Sequence, residues 1–400
     1  MEKKRLPQLC DNKACTGCLA CVNACNQGAL TVAKDEEGFY RPSLKAELCV
    51  MCGLCEKSCS IITPSKRQNE SDIKVYAAWH KDEAIHARST SGGAFSALAS
   101  VVLEKGGVVF GASYADGLTI KHIEVCNEVG LDKLRLSKYA QSYVGDTYQQ
   151  VKKRLVEGRW VLFVGTPCQV AGLKNYLRKD YENLLLVDFI CHGVPSNDIL
   201  QAYLKWLEKK YGRVNHINFR DKRKGWYDAL RVIKSETGKE MIMRGTDDNY
   251  WVGFSINNDL QESCYNCVNQ GFPRFSDITI ADFWGLGKRI PFGHKEEIEK
   301  GVSMIVVNNR KAMTLFKEAS KNLYVVERTI NETISGNKTA VQSSRRPKSR
   351  DTLYKDLQTM DYDDFHKKYM STTLKQKTVK FFREYLPFPV IKYIRLRSQK

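Results

Sequence analysis

The chain has 400 residues, enough for two or three domains with buried cores. Hydrophobic residues are 42% and charged residues 27%, and the longest apolar runs, 161–164 and 184–187, are short. These values exclude a helical integral membrane protein, a fibre and a mostly disordered chain. The net charge is +18, and half of it, 15 Lys or Arg against 6 Asp or Glu, lies in 341–400.

Residues 1–71 carry nine of the fourteen cysteines, with short elements expected at 28–32 and 39–42. The start, MEKKRLPQLC, has no apolar stretch, so no secretory signal and a cytoplasmic location are expected. Thiols stay reduced there, and metal ligation is the natural use of so many cysteines. Residues 63–71 are polar and read as a linker. A strand at 75–79 precedes a helix at 91–105, whose Phe95, Leu98, Ala99, Val102 and Leu103 share one side and which Gly106-Gly107 stops. Strands follow at 108–113 and 119–125, a helix at 148–157, a strand at 160–164, a helix at 167–177, a strand at 184–190 and a helix at 197–210. This alternation predicts α/β units. Strands are expected at 214–219, 230–234 and 240–243, with Thr237-Gly238 as a hairpin turn. Strands at 277–282 and 302–308 and a helix at 310–321 complete a mixed sheet. Residues 342–350 read as a basic linker. The end, 381–396, mixes aromatic, aliphatic and basic residues and is interrupted by Pro387 and Pro389.

One pattern occurs twice. Cys15-x2-Cys18-x2-Cys21-x3-Cys25 is followed by Cys49-x2-Cys52-x2-Cys55-x3-Cys59. This is two-cluster ferredoxin spacing: three thiolates wrap one [4Fe-4S] cubane on a tight loop, and the fourth reaches the other cubane. Cluster one takes Cys15, Cys18, Cys21 and Cys59. Cluster two takes Cys49, Cys52, Cys55 and Cys25. Gly17 and Gly53 sit where backbone must pass close to sulfide. A zinc module is the alternative, but zinc needs single sets of four ligands, not two matched runs. The usual proline after the fourth cysteine is replaced by Asn26 and by Ser60.

Cys168 lies in Gly165-Thr166-Pro167-Cys168-Gln169, a strand-to-helix turn that favours a thiolate, and Cys191 ends a strand in Cys191-His192-Gly193. With Cys264-x2-Cys267 they could close a third cubane; otherwise Cys168 and Cys191 are small core residues. Cys10 and Cys126 read as plain thiols. Two cubanes beside an α/β domain call for a cofactor that couples one- and two-electron chemistry, most often a flavin. Neither G-x-G-x-x-G nor G-x-x-x-x-G-K-[ST] is present. Arg88-Ser89-Thr90-Ser91-Gly92-Gly93 opens a helix and could hold phosphate, or simply cap it.

The ordered segments RSTSGGAF, LSKYAQS, LFVGTPCQVAGL, DFICHGVPS, FRDKRKGW, SCYNC and SDITIADFWG resemble the coenzyme F420 hydrogenase/dehydrogenase beta-subunit family over 73–308. The ferredoxin module also matches many of its members. The resemblance implies an iron–sulfur flavoprotein: a ferredoxin-like α+β dicluster domain (1–71), an α/β flavin-binding domain with a mixed sheet in two regions (72–150 and 151–335), and a basic linker and tail (336–400). By similarity, Arg88, Ser89, Ser91, Gly92 and Gly93 would hold FAD phosphates. Ser137, Lys138, Tyr139, Thr166, Pro167 and Gln169 would flank the flavin, and Cys168, Cys191, Cys264 and Cys267 would ligate a cluster. One departure is Leu136, where the family often has glycine.

These readings lead to an oxidoreductase that moves electrons between the clusters, FAD and a soluble substrate or deazaflavin. Many bacterial relatives sit beside genes for surface-polysaccharide assembly. Lys138 is the candidate cation beside flavin N1, and His192 and Asp282 are candidate proton donors; a structural hydrogen-bonding role is the alternative for both. The rival hypothesis is a non-catalytic electron-transfer subunit of a larger redox complex. The expected partner is a redox protein or a small-molecule substrate, not nucleic acid, because no nucleic-acid motif accompanies the charge. The tail is either solvated or packed, or lies on the inner membrane face as a peripheral contact.

Overall fold

The computed structural model describes residues 5–371. The segment 381–396, with its membrane alternative, lies outside them. No helix among the described residues is long and apolar enough to cross a membrane.

The centre is an eight-stranded mixed sheet. Its four inner strands, Ile278–Asp282, Leu184–Phe189, Val161–Gly165 and Val108–Tyr114, run parallel. They read as continuous Val/Ile/Leu/Phe because helices cover both faces. Antiparallel strands close the flanks: Ile120–Val125 beside Val108–Tyr114, and Ser303–Val307, Lys74–His80 and Leu323–Arg328 in turn on the other side. One face packs on the helices Ala94–Glu104 and Arg310–Ala319, through Leu98, Val102, Leu315 and Phe316. The inner strands all point their C-terminal ends at one edge, where open α/β sheets place their sites.

Three further pieces are built onto this sheet. Val214–Asp221, Leu230–Ser235 and Glu240–Met243 form a second, antiparallel sheet. The expected hairpin is present, with Gly238 at φ 80°. The N-terminal module pairs Leu30–Lys34 with Tyr40–Leu44 and packs the helices Ala20–Asn23 and Leu54–Ser58 together. Leu19 and Ala20 share a core with Phe163, Val170 and Leu173 of the sheet domain.

Three sequence readings change here. Residues 63–71 form a docked strap, not a free linker: Arg67 donates to the carbonyls of Val268, Gln270 and Pro273 at 2.7–2.9 Å, and Ser65 donates to Asn175 at 2.6 Å. Within 336–400, expected as basic linker and tail, 342–349 has no helix or strand but 350–369 is folded. Helices Arg350–Thr359 and Tyr362–Tyr369 bury Leu353, Phe365 and Tyr369, and Arg350 forks onto Glu37 of the N-terminal module at 2.8 and 2.5 Å. Their apolar residues recur at helical spacing, a signal the basic composition masked. The helix expected at 91–105 begins only at Ala94, because Gly93 holds φ 91°.

Candidate redox site

The first cysteine run folds as a tight loop. Gly17 takes φ 65°, and a Cβ there would stand 2.2 Å from Gln141 Nε2 and 2.8 Å from the Tyr40 carbonyl. Only glycine fits. The charges of Cys15, Cys18 and Cys59 all act on Cys21, and those of Cys15 and Cys59 act on Cys18. The fourth cysteine of the second run thus lies near the thiols of the first. Burial pushes the Cys18 thiol up to about 12. Cys10, read as a plain thiol, stands against this set and hydrogen-bonds to Cys59. The second loop turns through Met51 at φ 55° and Gly53 at φ 70°, with Met51 N–H donating to Cys49 Sγ at 3.4 Å. Cys52 acts on Cys55 and is exposed, while Cys25 and Cys49 are half-buried.

A second collection of thiols lies one step inward. Cys168 opens the helix Pro167–Leu177, where Thr166 and Gln169 cap each other and Thr166 Oγ1 lies 3.0 Å from Cys168 Sγ. Cys168 feels the charges of Cys191, Cys267 and Cys18; Cys191 feels Cys264 and Cys267; Cys264 feels Cys168 and Cys267. Four thiols from three separate segments are thus neighbours, and Cys168 is also a neighbour of the first run. All are free thiols, and burial raises Cys168 and Cys191 and takes Cys264 up to about 12. Among the described residues no group of three or more His, Cys, Asp or Glu converges as a single metal ion requires. The donors are all sulfur, which suits iron–sulfur ligation, and the sets lie around loops whose glycines leave room beside the thiols.

A cavity of about 690 Å³ adjoins both collections. Its floor is the C-terminal strand edge: Val164 to Thr166, Phe189 to Cys191 and Ile280 to Asp282. Cys168 lines it too, as do Thr16 and Gly17 of the N-terminal loop. Ser89, Thr90, Ser91 and Gly93 form one wall, at the N-terminus of the helix Ala94–Glu104, and 134–142 forms another. The volume is in the range of cofactor pockets.

The residues expected at this site divide. Ser89, Ser91, Gly93, Ser137, Lys138, Tyr139, Thr166, Gln169, His192 and Asp282 all line the cavity. Arg88, Gly92 and Pro167 do not. Arg88 is drawn 3.2 Å from both oxygens of Asp132 and faces a second cavity. Gly92 is a packing glycine: its N–H donates to Ser303 Oγ, and a Cβ would stand 2.2 Å from the Ala78 carbonyl. Pro167 is the buried first residue of its helix. Lys138 donates all three protons to the carbonyls of Lys133, Leu134 and Arg135, at 3.1, 3.1 and 2.6 Å, capping the helix Glu128–Leu134. Burial lowers its ammonium to about 7. Asp282 receives Arg220 at 2.9 Å and Trp226 Nε1 at 2.8 Å, so both its oxygens are occupied by charge-assisted or indole donors. That arrangement makes it an anchor for Arg220. His192 packs on Phe254 at 4.8 Å; burial lowers its pKa, and its Nε2 is buried without a hydrogen-bond partner.

Several cavity residues escaped the sequence reading. His122 accepts from Ser142 at 2.7 Å and donates to the Val164 carbonyl at 3.2 Å, and burial lowers it to about 4, so the ring is neutral. A strand histidine gives no sequence signal. Arg220 stacks on Trp284 at 5.1 Å and lines both cavities. The second cavity, about 870 Å³, gathers Lys222, Arg223, Lys224 and Lys300. FRDKRKGW carried this signal, unassigned.

Arg41 was also missed. It is 5% exposed and lies 2.9 Å from Asp35, and its charge acts on Cys15 and reaches Cys264 as well. One buried guanidinium therefore stands between a thiol of the first cluster set and a thiol of the inner set.

Two protein families match this chain. Residues 14–61 match the 4Fe-4S dicluster domain, and residues 158–333 match the C terminus of the coenzyme F420 hydrogenase/dehydrogenase beta subunit. No curated protein matches. Among solved structures, a chain of the xenon-derivatised F420-reducing [NiFe] hydrogenase complex from Methanosarcina barkeri is 15% identical, with a TM-score of 0.45, covering 80% of this chain and 94% of that one. Over 158–333 this chain is thus similar to the coenzyme F420 hydrogenase/dehydrogenase beta subunit, and over 14–61, in front of that region, to a 4Fe-4S dicluster domain.

Proposed function

We propose that the chain is an iron–sulfur flavoprotein oxidoreductase. Two [4Fe-4S] clusters in the N-terminal module, a third held by Cys168, Cys191, Cys264 and Cys267, and FAD in the 690 Å³ cavity would connect a redox partner protein to a soluble substrate. The observation that carries this reading is continuity. The charge of Cys18 reaches Cys168, and Cys168 and Cys191 line the same cavity as Gly17. The two thiol sets and the cavity thus adjoin one another, which supports a continuous electron path.

FAD, when bound, would supply the exchange between single electrons and hydride. The chain's own groups do the rest. The N-terminal backbone of the helix Ala94–Glu104, with Thr90 and Ser91, offers N–H and hydroxyl groups suited to phosphate. Neutral His122 and His192 can orient or pass a proton without placing charge in the cavity. The second cavity, sharing Ser89, Arg135, Leu136 and Arg220 with the first, keeps an excess of basic over acidic lining residues despite Glu83, Asp132, Asp221 and Glu299, which favours an acidic substrate. A deazaflavin fits that description, as do other anions. The link to polysaccharide assembly rests on the resemblance alone.

The test is anaerobic analysis of iron, sulfide and flavin in the wild type and in Cys264→Ala. About twelve irons and one FAD are expected, falling by about four irons in the variant. A wild type with about eight irons, or no flavin, would remove the third cluster or the cofactor respectively. A chain that binds all cofactors yet turns over no donor or acceptor without a partner would be the relay subunit instead.

A further inference from the structure

The segment that carries Cys264 and Cys267 has little regular structure of its own. After the short turn Glu262–Cys264, no helix or strand forms until Ile278. Cys267 therefore sits on a loop whose backbone groups must find partners elsewhere. Ser343 takes one side, accepting from Cys267 N–H at 3.1 Å and from Gln270 Nε2 at 2.7 Å. Arg67 of the strap takes the other. Its Nη2 donates to the carbonyls of Val268 and Gln270 at 2.9 and 2.8 Å, and its Nη1 to that of Pro273 at 2.7 Å. The guanidinium also lies over the Phe275 ring at 4.4 Å. Next along the strap, Gln68 N–H donates to the Arg274 carbonyl at 2.7 Å. The charges of Arg67 and Cys267 act on each other.

One planar guanidinium can serve several carbonyls of a loop in a fixed geometry, which a lysine ammonium, a single point, cannot copy. Holding the strap down does not by itself call for this. Asn175 already ties the strap to the helix Pro167–Leu177, accepting from Ser65 Oγ at 2.6 Å and donating to the Thr63 carbonyl at 2.6 Å. Arg67 is directed at the thiol loop instead. We infer that Arg67 is a positioning residue for the proposed inner cluster: it seats the loop that follows Cys267, and so keeps this thiol beside Cys168, Cys191 and Cys264. The inference rests on the third-cluster reading above and adds a dependence between modules. The strap that follows Cys59, the last thiol of the ferredoxin runs, also shapes the inner ligand set.

The test uses anaerobically prepared full-length protein, iron and sulfide analysis, and EPR of the dithionite-reduced clusters. The inner cluster's signal is the one missing from Cys264→Ala. Arg67→Met should lose that signal and about four of about twelve irons, while the outer clusters' signals persist. Arg67→Lys, which keeps the charge without the fork, should fall between Arg67→Met and the wild type. The control Asn175→Ala removes the strap's other anchor without touching the thiol loop, and should keep the inner signal. Full iron with an unchanged inner signal in Arg67→Met overturns the inference. Equal loss in Asn175→Ala also overturns it, because docking of the strap would then be the cause. So does loss of the outer signals together with the inner one in both Arg67 variants, the mark of a general structural role. If Arg67→Met fails to fold, Arg67→Lys decides by the same signal: selective loss supports the inference and a wild-type signal overturns it. A wild type with about eight irons would instead defeat the third-cluster reading beneath it.

Discussion

Replacing Arg41 should lower the potential of the first cluster. Adding an electron makes a cubane more negative, so a nearby cation stabilises the reduced form and holds the potential up. An unpaired unit charge about 4 Å away, at an effective dielectric near 20, is worth about 4 kcal/mol. Arg41 is not unpaired: Asp35 lies 2.9 Å away and cancels part of its field. Reducing the effect to roughly 1–2 kcal/mol, at about 2.3 kcal/mol per 100 mV, gives ~40–90 mV. Arg41→Met should therefore move one cluster's midpoint down by that amount in an EPR-monitored potentiometric titration, and that of the proposed inner cluster by less. Arg41→Lys keeps the charge and should recover most of the shift. Asp35 stays in place in either variant, because it also accepts from the Glu37 and Phe39 N–H groups at 3.0 and 2.9 Å. Full iron content with unmoved midpoints in Arg41→Met would refute the electrostatic argument.

Three further outcomes follow from single positions. Asp259 is fully buried, neither carboxylate oxygen has a hydrogen-bond partner, and burial raises it to about 7. Between pH about 4 and 7 the native state keeps this proton while the unfolded state releases it, so stability falls as pH rises and then levels. Asp259→Asn should thus stabilise by roughly 2–4 kcal/mol at pH 8 and by less at pH 6, measured by denaturant unfolding; an equal gain at both would refute the titration. Gly172→Ala would set a Cβ 2.9 Å from Cys18 Sγ, and should cost about 1–3 kcal/mol or a cluster's iron, read by melting and iron analysis. Leu136→Gly removes a side chain held at φ 66° and should leave the melting temperature unchanged or raise it, equivalent to about 1 kcal/mol at most.

The cysteine spacing made the 4Fe-4S dicluster domain legible, because a ferredoxin loop is local and each thiol's place depends on its immediate neighbours. The parallel strands were legible for a similar reason: burial on both faces writes an unbroken apolar run. Leu136 shows a subtler case. The resemblance flagged it as a departure from glycine, and its φ of 66° supplies the physical reason glycine is used there. What stayed hidden depends on distant partners. Nothing around Arg88 announces that Asp132 will turn it away from the cavity. Nothing around Lys138 announces three carbonyl acceptors at a helix end. Arg41 lies in an ordinary hairpin strand, and its burial between two thiol sets exists only once the modules dock.

That docking bears on how electrons would travel. A ferredoxin module on a flexible linker would deliver electrons by swinging, and its rate would follow linker length. Here the strap 63–71 is pinned through Arg67, the hairpin is clamped by the Arg350–Glu37 fork, and Gln261 donates from the sheet domain to the Cys15 carbonyl at 2.9 Å. Each of these groups is buried or half-buried, so opening the interface would strand a guanidinium or an amide without partners, at a cost of about 1–3 kcal/mol each. Gly17 and Gly172 lock the two surfaces at contact distances that a single methyl would disturb. The module is therefore a fixed wall of the cavity, not a mobile carrier. On the proposed path, transfer from its first cluster inward would be set by fixed distance and by the local field of Arg41.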